Sequence, residues 1–322
     1  METTVLDPSG LVVSRACLGT MTFGTQADES ESIRILDHGL SAGINFVDTA
    51  NIYGNGASEK VLGRALKGRR DQIVLASKVS GPMNDGSNDG GLSRAAMNQS
   101  LENTLRRLQT DYLDIYYLHQ PDYSVPLEET LETLDRMIQD GKVRFPASSN
   151  FASWQVCRML GIAEKQRYQS AQITQPMYNL VARGVEQEYV PMAKDLGVSI
   201  IAYNPLAGGL LTGKHKVSQP AEGSRFVANQ VYRDRYWNAS YLQAVDQLAD
   251  IALRAGRSLI SMALGWLLHH TPTSCVILGA SRKEQLEVNL AAIQDGPLPV
   301  GTIEECDAVW ERLRGCTPKY NR

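Results

Sequence analysis

The chain has 322 residues, a formal charge of −3 and 21% charged residues, enough material for a sizeable core with no excess of either sign. That balance gives no footing for a nucleic-acid or anionic-membrane surface. No run approaches the roughly 20 apolar residues that span a bilayer, and Met1-Glu2-Thr3-Thr4 lacks the basic start and apolar core of a leader, so a cytoplasmic location is expected.

Residues 3–6 and 11–13 flank Asp7-Pro8-Ser9-Gly10, a turn signal between two β-rich pieces. A hairpin over 3–13 is expected, plugging the N-terminal end of the body built by the later strands. Eight short β-rich runs come next: 16–18 before Gly19, 44–47 before Asp48, 73–76 before Lys78, 113–118 before His119, 142–145 before Ser149 and Asn150, 171–173 before Gln175, 198–202 before Tyr203, and 275–278 before Gly279. Between them lie segments of helical spacing at 31–42, 58–67, 93–108, 127–140, 154–164 and 185–196, with Ser93 as a start signal and Gly141 and Gly197 as stops.

Strands alternating with helices over roughly 300 residues predict a (β/α)8 barrel, an α/β fold. The doubly wound alternative wants a Gly-x-Gly-x-x-Gly turn straight after a strand, and none is present. One domain over 1–322 is expected, with 3–13 as hairpin, 16–300 as barrel and 301–322 as a C-terminal helix and tail. Segments 80–91 and 206–239 exceed ordinary loop length and follow strands, which places them over the C-terminal face where such barrels do their chemistry. The five cysteines, Cys17, Cys157, Cys275, Cys306 and Cys316, are scattered without metal-ligand spacing and are expected to be buried thiols.

Asp48, Lys78 and His119 stand at the ends of such runs and Tyr53 just beyond one. Around them, Leu18-Gly19-Thr20-Met21-Thr22-Phe23-Gly24, Asp48-Thr49-Ala50-Asn51-Ile52-Tyr53-Gly54, Ser77-Lys78-Val79, residues 111–122 about His119, 141–150 and 203–214 together resemble the aldo-keto reductases over nearly the whole chain. The branch that includes bacterial aldo-keto reductases and the β subunits of voltage-gated potassium channels is the most similar. The resemblance implies a catalytic tetrad of Asp48, Tyr53, Lys78 and His119, and a nicotinamide cofactor lying extended across the barrel mouth.

The chemistry suits those residues. Reducing a carbonyl needs a hydride on one side and a proton donor at oxygen on the other. A free phenol has a pKa of about 10, so acid–base work near neutrality calls for roughly 3 to 4 kcal/mol of bias toward phenolate, which a lysine within hydrogen-bond reach of Tyr53 supplies in part. Asp48 would keep that ammonium charged and His119 would orient the carbonyl.

The hydride source is expected to be NADPH, with NADH as the alternative. By the same resemblance Gly19, Thr20, Met21 and Asp48 bind the cofactor, Ser149, Asn150 and Gln175 meet the carboxamide, and Tyr203 stacks on the ring. Asn204, Pro205, Leu206, Gly208 and Lys214 match the pyrophosphate segment and Arg225 a contact folding over it. Gly279, Ser281, Arg282, Gln285 and Asn289 match the adenosine end, where a 2′-phosphate meets a guanidinium at a helix N-terminus.

Some residues depart from the family pattern. Phe145-Pro146-Ala147-Ser148 sets a proline inside a strand, where it should free a partner carbonyl or force an irregularity. Ala147 adds a methyl, Asn204 stands where Ser is common, and Val288 replaces an acid. Phe23, Met83, Tyr123 and Trp237, with Met21, Tyr232 and Tyr236, are the candidate walls of a pocket for a small-molecule carbonyl of some hydrophobic bulk. Two other functions fit the same residues: a nicotinamide-binding, redox-sensing regulatory subunit of slow turnover, and a class I aldolase with Lys78 as Schiff-base lysine. Oligomeric state is not legible.

Overall fold

The computed structural model describes residues 1–79, 81, 83, 90–215, 220 and 224–316. Strands β1 (Thr3–Leu6) and β2 (Leu11–Ser14) pair antiparallel as the expected hairpin. The strands β3 (Ala16–Gly19), β4 (Phe46–Asp48), β5 (Val74–Val79), β6 (Leu113–Leu118), β7 (Val143–Ser149), β8 (Ile173–Gln175), β9 (Ser199–Ala202) and β10 (Thr273–Gly279) close in that order into one parallel ring, β10 returning to β3. Helices α1 (Glu29–Ser41), α2 (Ala57–Ala65), α3 (Arg94–Leu108), α4 (Leu127–Gln139), α5 (Ser153–Gln166) and α6 (Tyr189–Asp195) fill the connections. This is the (β/α)8 barrel that the alternation predicts.

The start and stop signals work as read. The Ser93 side chain accepts from the Ala96 N–H at 3.3 Å, and Asp28 does the same for Glu31 at 2.8 Å. Gly141 and Gly197 follow their helices with φ of 73° and 64°. Helix α6 is shorter than expected: Gly184–Glu186 is a separate 3-10 turn, so that Pro191 falls in the first turn of α6, where its missing N–H costs nothing. Strand β8 starts two residues later than expected because Gln172 N turns back to Ser170 O (3.0 Å).

Between β9 and β10 the chain builds α7 (Arg225–Ala228), α8 (Gln230–Tyr236), α9 (Ala239–Arg254) and α10 (Leu259–His270). Asn229, Asn238 and Ser258 cap the last three, signals present in the sequence but set in a stretch with no clean period. Helices α11 (Lys283–Gln294) and α12 (Val300–Arg314) complete the outer layer. Among the described residues no single helix is long and apolar enough to cross a membrane. Most of segment 80–91 and the tail 317–322 lie outside the described residues.

Two cores result. The larger lies between strands and helices; the smaller fills the barrel with Cys17, Phe46, Val74, Ala76, Ile115, Tyr117, Ala147, Ile173, Ile201, Cys275 and Ile277. Leu6 and Val13 of the hairpin join the inner core at 0% exposure, so the hairpin closes the N-terminal end. Cys17, Cys275 and Cys306 are buried, but Cys157 and Cys316 are exposed, contrary to expectation.

The proline in β7 forces no irregularity. The register with β6 runs through Tyr116↔Pro146 and Tyr117↔Ala147 without a shift. Pairing with β8 begins only at Ala147↔Ile173, and the carbonyl of Arg144, two residues before Pro146 and facing the same neighbour, takes its hydrogen bond from the Gln169 side chain at 2.9 Å. The missing N–H thus falls below the start of the β8 ladder.

Behind β5, on its outer face, Ser77 Oγ donates to Glu59 Oε1 at 2.6 Å and Arg107 Nε to Oε2 at 2.6 Å. Glu59 is 0% exposed, and its two oxygens tie α2, α3 and β5 into one unit. That junction needs α2 pressed on α3: a Cβ on Gly63 would sit 2.3 Å from the Arg107 carbonyl oxygen. Gly63→Ala should therefore cost about 2 kcal/mol or more. Gly161→Ala, in α5 with nothing within 4 Å, should gain roughly 0.5 to 1 kcal/mol. Urea denaturation of both variants gives the contrast, and equal midpoints would contradict the packing argument.

Candidate active site

Side chains alternate along a strand, so the residues that fill the barrel dictate what faces its mouth one step later. Phe46 and Ala76 inside put Asp48 and Lys78 above them; Tyr117 puts His119 there; Ala147, Ile173 and Ile201 do the same for Ser149, Gln175 and Tyr203. Cys17 and Ile277 leave Gly19 and Gly279 at the rim, and Gly19 has no room for a side chain, since its Cβ would lie 2.6 Å from Ile277 Cγ2.

Lys78 is 0% exposed and uses all three of its donors: Asp48 Oδ1, Thr49 O at 2.9 Å and Tyr53 Oη at 3.0 Å. Its Nζ also stands 4.7 Å from the Tyr53 ring centre and 5.9 Å from that of Tyr117. Burial by itself would lower the lysine pKa, but Asp48 and Tyr53 carry it well above its usual value. Such an ammonium is a poor nucleophile, which removes the basis for a Schiff-base aldolase.

Tyr53 opens a 3-10 turn, Tyr53–Gly56, whose Gly54 and Asn55 are both at φ 56°. The downward shift expected for this phenol is not the net result. Burial raises its pKa, outweighing the pull of Lys78, and Asp48 adds to the rise, so Tyr53 is a neutral phenol and a proton donor rather than a phenolate. His119 sets its ring edge-on to Tyr53, centres 6.1 Å apart at 81°. Its Nδ1 is buried without a partner among the described residues, and burial, followed by Lys78, pushes its pKa down to about 3.

The remaining predicted residues fall into three groups. At the nicotinamide end, Ser149 Oγ donates to Gln175 O at 2.8 Å, and Gln175 Nε2 to Asp48 Oδ2 at 2.9 Å. Asn150, at φ 60°, donates to His119 O at 2.8 Å and accepts from Tyr203 Oη at 2.7 Å, which laces β6, β7 and β9 together. Thr20 is turned inward, its hydroxyl on Asp48 O at 2.9 Å and against Ser58 Oγ at 2.8 Å, whereas Met21 is exposed.

At the pyrophosphate segment, Asn204 sits at φ 55° with its Oδ1 taking Tyr232 Oη at 3.3 Å, while its Nδ2 is a buried donor without a partner among the described residues. Pro205 is buried, Leu206 half-buried and Lys214 exposed. Gly208, at φ 69°, packs so closely under Tyr232 that a Cβ would lie 2.6 Å from its ring. Arg225 opens α7, but its side chain is outside the described residues.

At the adenosine end, Gly279 and Arg282 are exposed, Arg282 stands at the N-terminus of α11, and Gln285 Oε1 accepts from Ser281 N at 2.8 Å. Asn289 is 5% exposed. Sequence reasoning missed Glu31, whose Oε1 takes the Lys283 N–H at 2.7 Å, since no motif joins residues so far apart. It also missed Tyr117, although its place two residues before His119 on the same face was readable.

The candidate pocket walls are dispersed. Phe23 is 0% exposed and belongs to the outer core, not to the mouth, and Tyr236 is likewise core at 1%. Met83 is 3% exposed and Tyr123 is 84% exposed. Trp237 packs on Phe226, ring centres 5.4 Å apart, and Tyr232 lies on the Gly208 turn.

A parallel eight-stranded barrel with a buried lysine, carboxylate and phenol at the C-terminal rim is a fold and site suited to nicotinamide-linked redox chemistry. A sequence model of the Aldo/keto reductase family matches residues 15–311, and the chain belongs to that family and is an NAD(P)H-dependent oxidoreductase. It is 39% identical over 305 residues to an uncharacterized oxidoreductase, YrpG, of Bacillus subtilis, covering 91% of each chain. It is 36% identical to an aflatoxin B1 aldehyde reductase member 2 of Rattus norvegicus, over 95% of this chain and 87% of that one. A probable voltage-gated potassium channel subunit beta of Arabidopsis thaliana is 35% identical over 91% of each.

With a pKa of about 3, His119 should stay neutral through the physiological range. The folded chain then binds fewer protons here than the unfolded one between about 3 and the ordinary 6.5, so this residue lowers stability as pH falls through that window. Ring resonances of His119 that do not move above about pH 4 in an NMR titration are the expected outcome; a midpoint near the ordinary imidazole value would refute it.

Proposed function

We propose that the protein reduces aldehydes or ketones to alcohols with NADPH, Tyr53 delivering the proton and Lys78, Asp48 and His119 supporting it. The observation that carries this reading is the buried ammonium of Lys78 held on Asp48, Thr49 O and Tyr53 Oη at once. The cofactor, when bound, supplies a hydride to the carbonyl carbon. Tyr53 Oη gives its proton to the carbonyl oxygen as charge develops there, and the phenolate left behind faces the Lys78 ammonium 3.0 Å away. Asp48 keeps that ammonium charged. His119, neutral, offers the same oxygen a hydrogen bond without competing as an acid.

A nicotinamide dinucleotide suits the rim on three counts. The unpartnered Asn204 Nδ2 is a donor for an anion, Gly208 and Gly209 bring bare backbone beside it at φ 69° and 106°, and Ser281 and Arg282 sit at the N-terminus of α11. The exposed Arg282 guanidinium supports NADPH over NADH, as partner for a 2′-phosphate. With Phe23, Tyr236 and Met83 buried, the candidate walls left with exposed surface are Met21, Tyr123, Tyr232 and Trp237. Their apolar and aromatic character suits a carbonyl attached to a hydrophobic group, in line with the aldehyde named for the rat relative.

Turnover is tested by following NADPH oxidation with nitrobenzaldehyde, methylglyoxal and an aliphatic aldehyde, with NADH in parallel. Tyr53→Phe should lower kcat roughly 100-fold or more with NADPH binding intact. Arg282→Ala should weaken NADPH about tenfold and leave NADH unchanged. NADPH binding with no turnover of any aldehyde would instead favour a redox-sensing regulator.

A further inference from the structure

A carboxylate that is 2% exposed needs donors on both oxygens if it is to stay charged. Lys78 meets Oδ1 of Asp48. The donor on Oδ2 comes from the far side of the barrel: Gln175 Nε2, at 2.9 Å. In the closed ring, β4 and β8 are four strands apart and so face each other, and the Gln175 side chain bridges them. Gln175 is itself fixed, 3% exposed with its carbonyl holding Ser149 Oγ at 2.8 Å, in register with Ser149.

The titratable groups facing this pair come from several strands. Cys17 of β3, Lys78 of β5, Tyr117 of β6 and Cys275 of β10 face Asp48, while His119 and Tyr232 join Lys78 and Asp48 about Tyr53. Burial raises both thiols and Tyr117 and lowers His119, so all four are neutral and the local charges are Lys78 and Asp48.

We propose that Gln175 is a positioning residue for proton delivery: by holding Oδ2 of Asp48 from across the barrel, it keeps the carboxylate turned to Lys78 and the ammonium turned to the Tyr53 oxygen. This rests on the reductase reading above. The same amide carries a second N–H and a carbonyl oxygen, the groups through which the family resemblance has it meet the nicotinamide carboxamide. Cofactor docking and proton delivery then share one side chain.

Gln175→Glu separates the two roles. It keeps an oxygen acceptor for the carboxamide but sets a carboxylate against Asp48, and two carboxylates at that distance share a proton. Its kcat at neutral pH is expected to fall roughly 10- to 100-fold, the effect of a lost hydrogen bond to a buried charge, and to recover in part at lower pH as the new carboxyl becomes a donor. The cofactor Kd, read by fluorescence, should change less than kcat.

A second readout needs neither turnover nor cofactor. The carboxyl of the variant has a folded pKa above its unfolded one, so its relative stability is present at acid pH and lost as pH rises. The Tm deficit of Gln175→Glu against wild type should therefore narrow from about pH 8 to about pH 5, and that of Gln175→Leu should not. Wild-type kcat across the pH range, or a Tm deficit equal at both ends, overturns the proposal. Absence of turnover by the wild-type protein with every aldehyde would sink the reductase reading instead, and full turnover by Tyr53→Phe the assignment of the proton donor, while the Tm comparison still decides the Gln175–Asp48 contact. If the glutamate variant does not fold, Gln175→Met, which keeps the volume but loses the amide, should weaken the cofactor and still show the fall in kcat at saturating NADPH, and wild-type kcat there overturns it equally.

Discussion

A lysine ammonium with no exposed surface is the constraint around which this molecule is arranged. Taking such a charge out of water costs several kcal/mol even after relaxation, and the cost is offset only if geometry and hydrogen bonding are complete. Here Asp48, Thr49 O and Tyr53 complete it from a strand end, the peptide after it and the turn beyond. Each of those must be rigid for the set to hold. The Glu59–Arg107–Ser77 junction locks the back of β5, while the Thr20 hydroxyl holds the Asp48 carbonyl and the Ser58 hydroxyl meets that of Thr49. A second buried charge pair thus lies behind the first, one side chain apart along the same strand.

The pattern of two residues per strand repeat explains why so much of the site was legible. Asp48, Lys78, His119, Ser149, Gln175 and Tyr203 extend the inward-facing rows of Phe46, Ala76, Tyr117, Ala147, Ile173 and Ile201, and strand ends are visible as apolar runs that stop. What a strand end contacts across the barrel is not periodic. The Gln175–Asp48 bond and the Glu31 contact to Lys283 N join residues 127 and 252 positions apart, with no local signal for either.

The points at which sequence and structure differ have equally physical roots. Phe23 lies in a family-like motif, yet the chain turns it into the outer core; Phe145-Pro146 reads as disruptive because the start of the β8 ladder cannot be located in the sequence. The direction of the Tyr53 shift depends on weighing burial against one nearby cation. Burial wins, which suits the proton donor proposed above. The stretch between β9 and β10 hides its first helices because the caps Asn229 and Asn238 stand where the aromatic residues Tyr232, Tyr236 and Trp237 break the apolar spacing.

The hairpin that closes the lower end has a further meaning. With Leu6 and Val13 under a shaft filled by Phe46, Ile115 and Ile201, apolar side chains close the barrel beneath Tyr53. On the proposed reading, a proton that this phenol gives up returns from the mouth, the side on which substrate and product would pass. Recharging the acid would then be tied to departure of the alcohol, as in a vessel refilled only after it has been emptied.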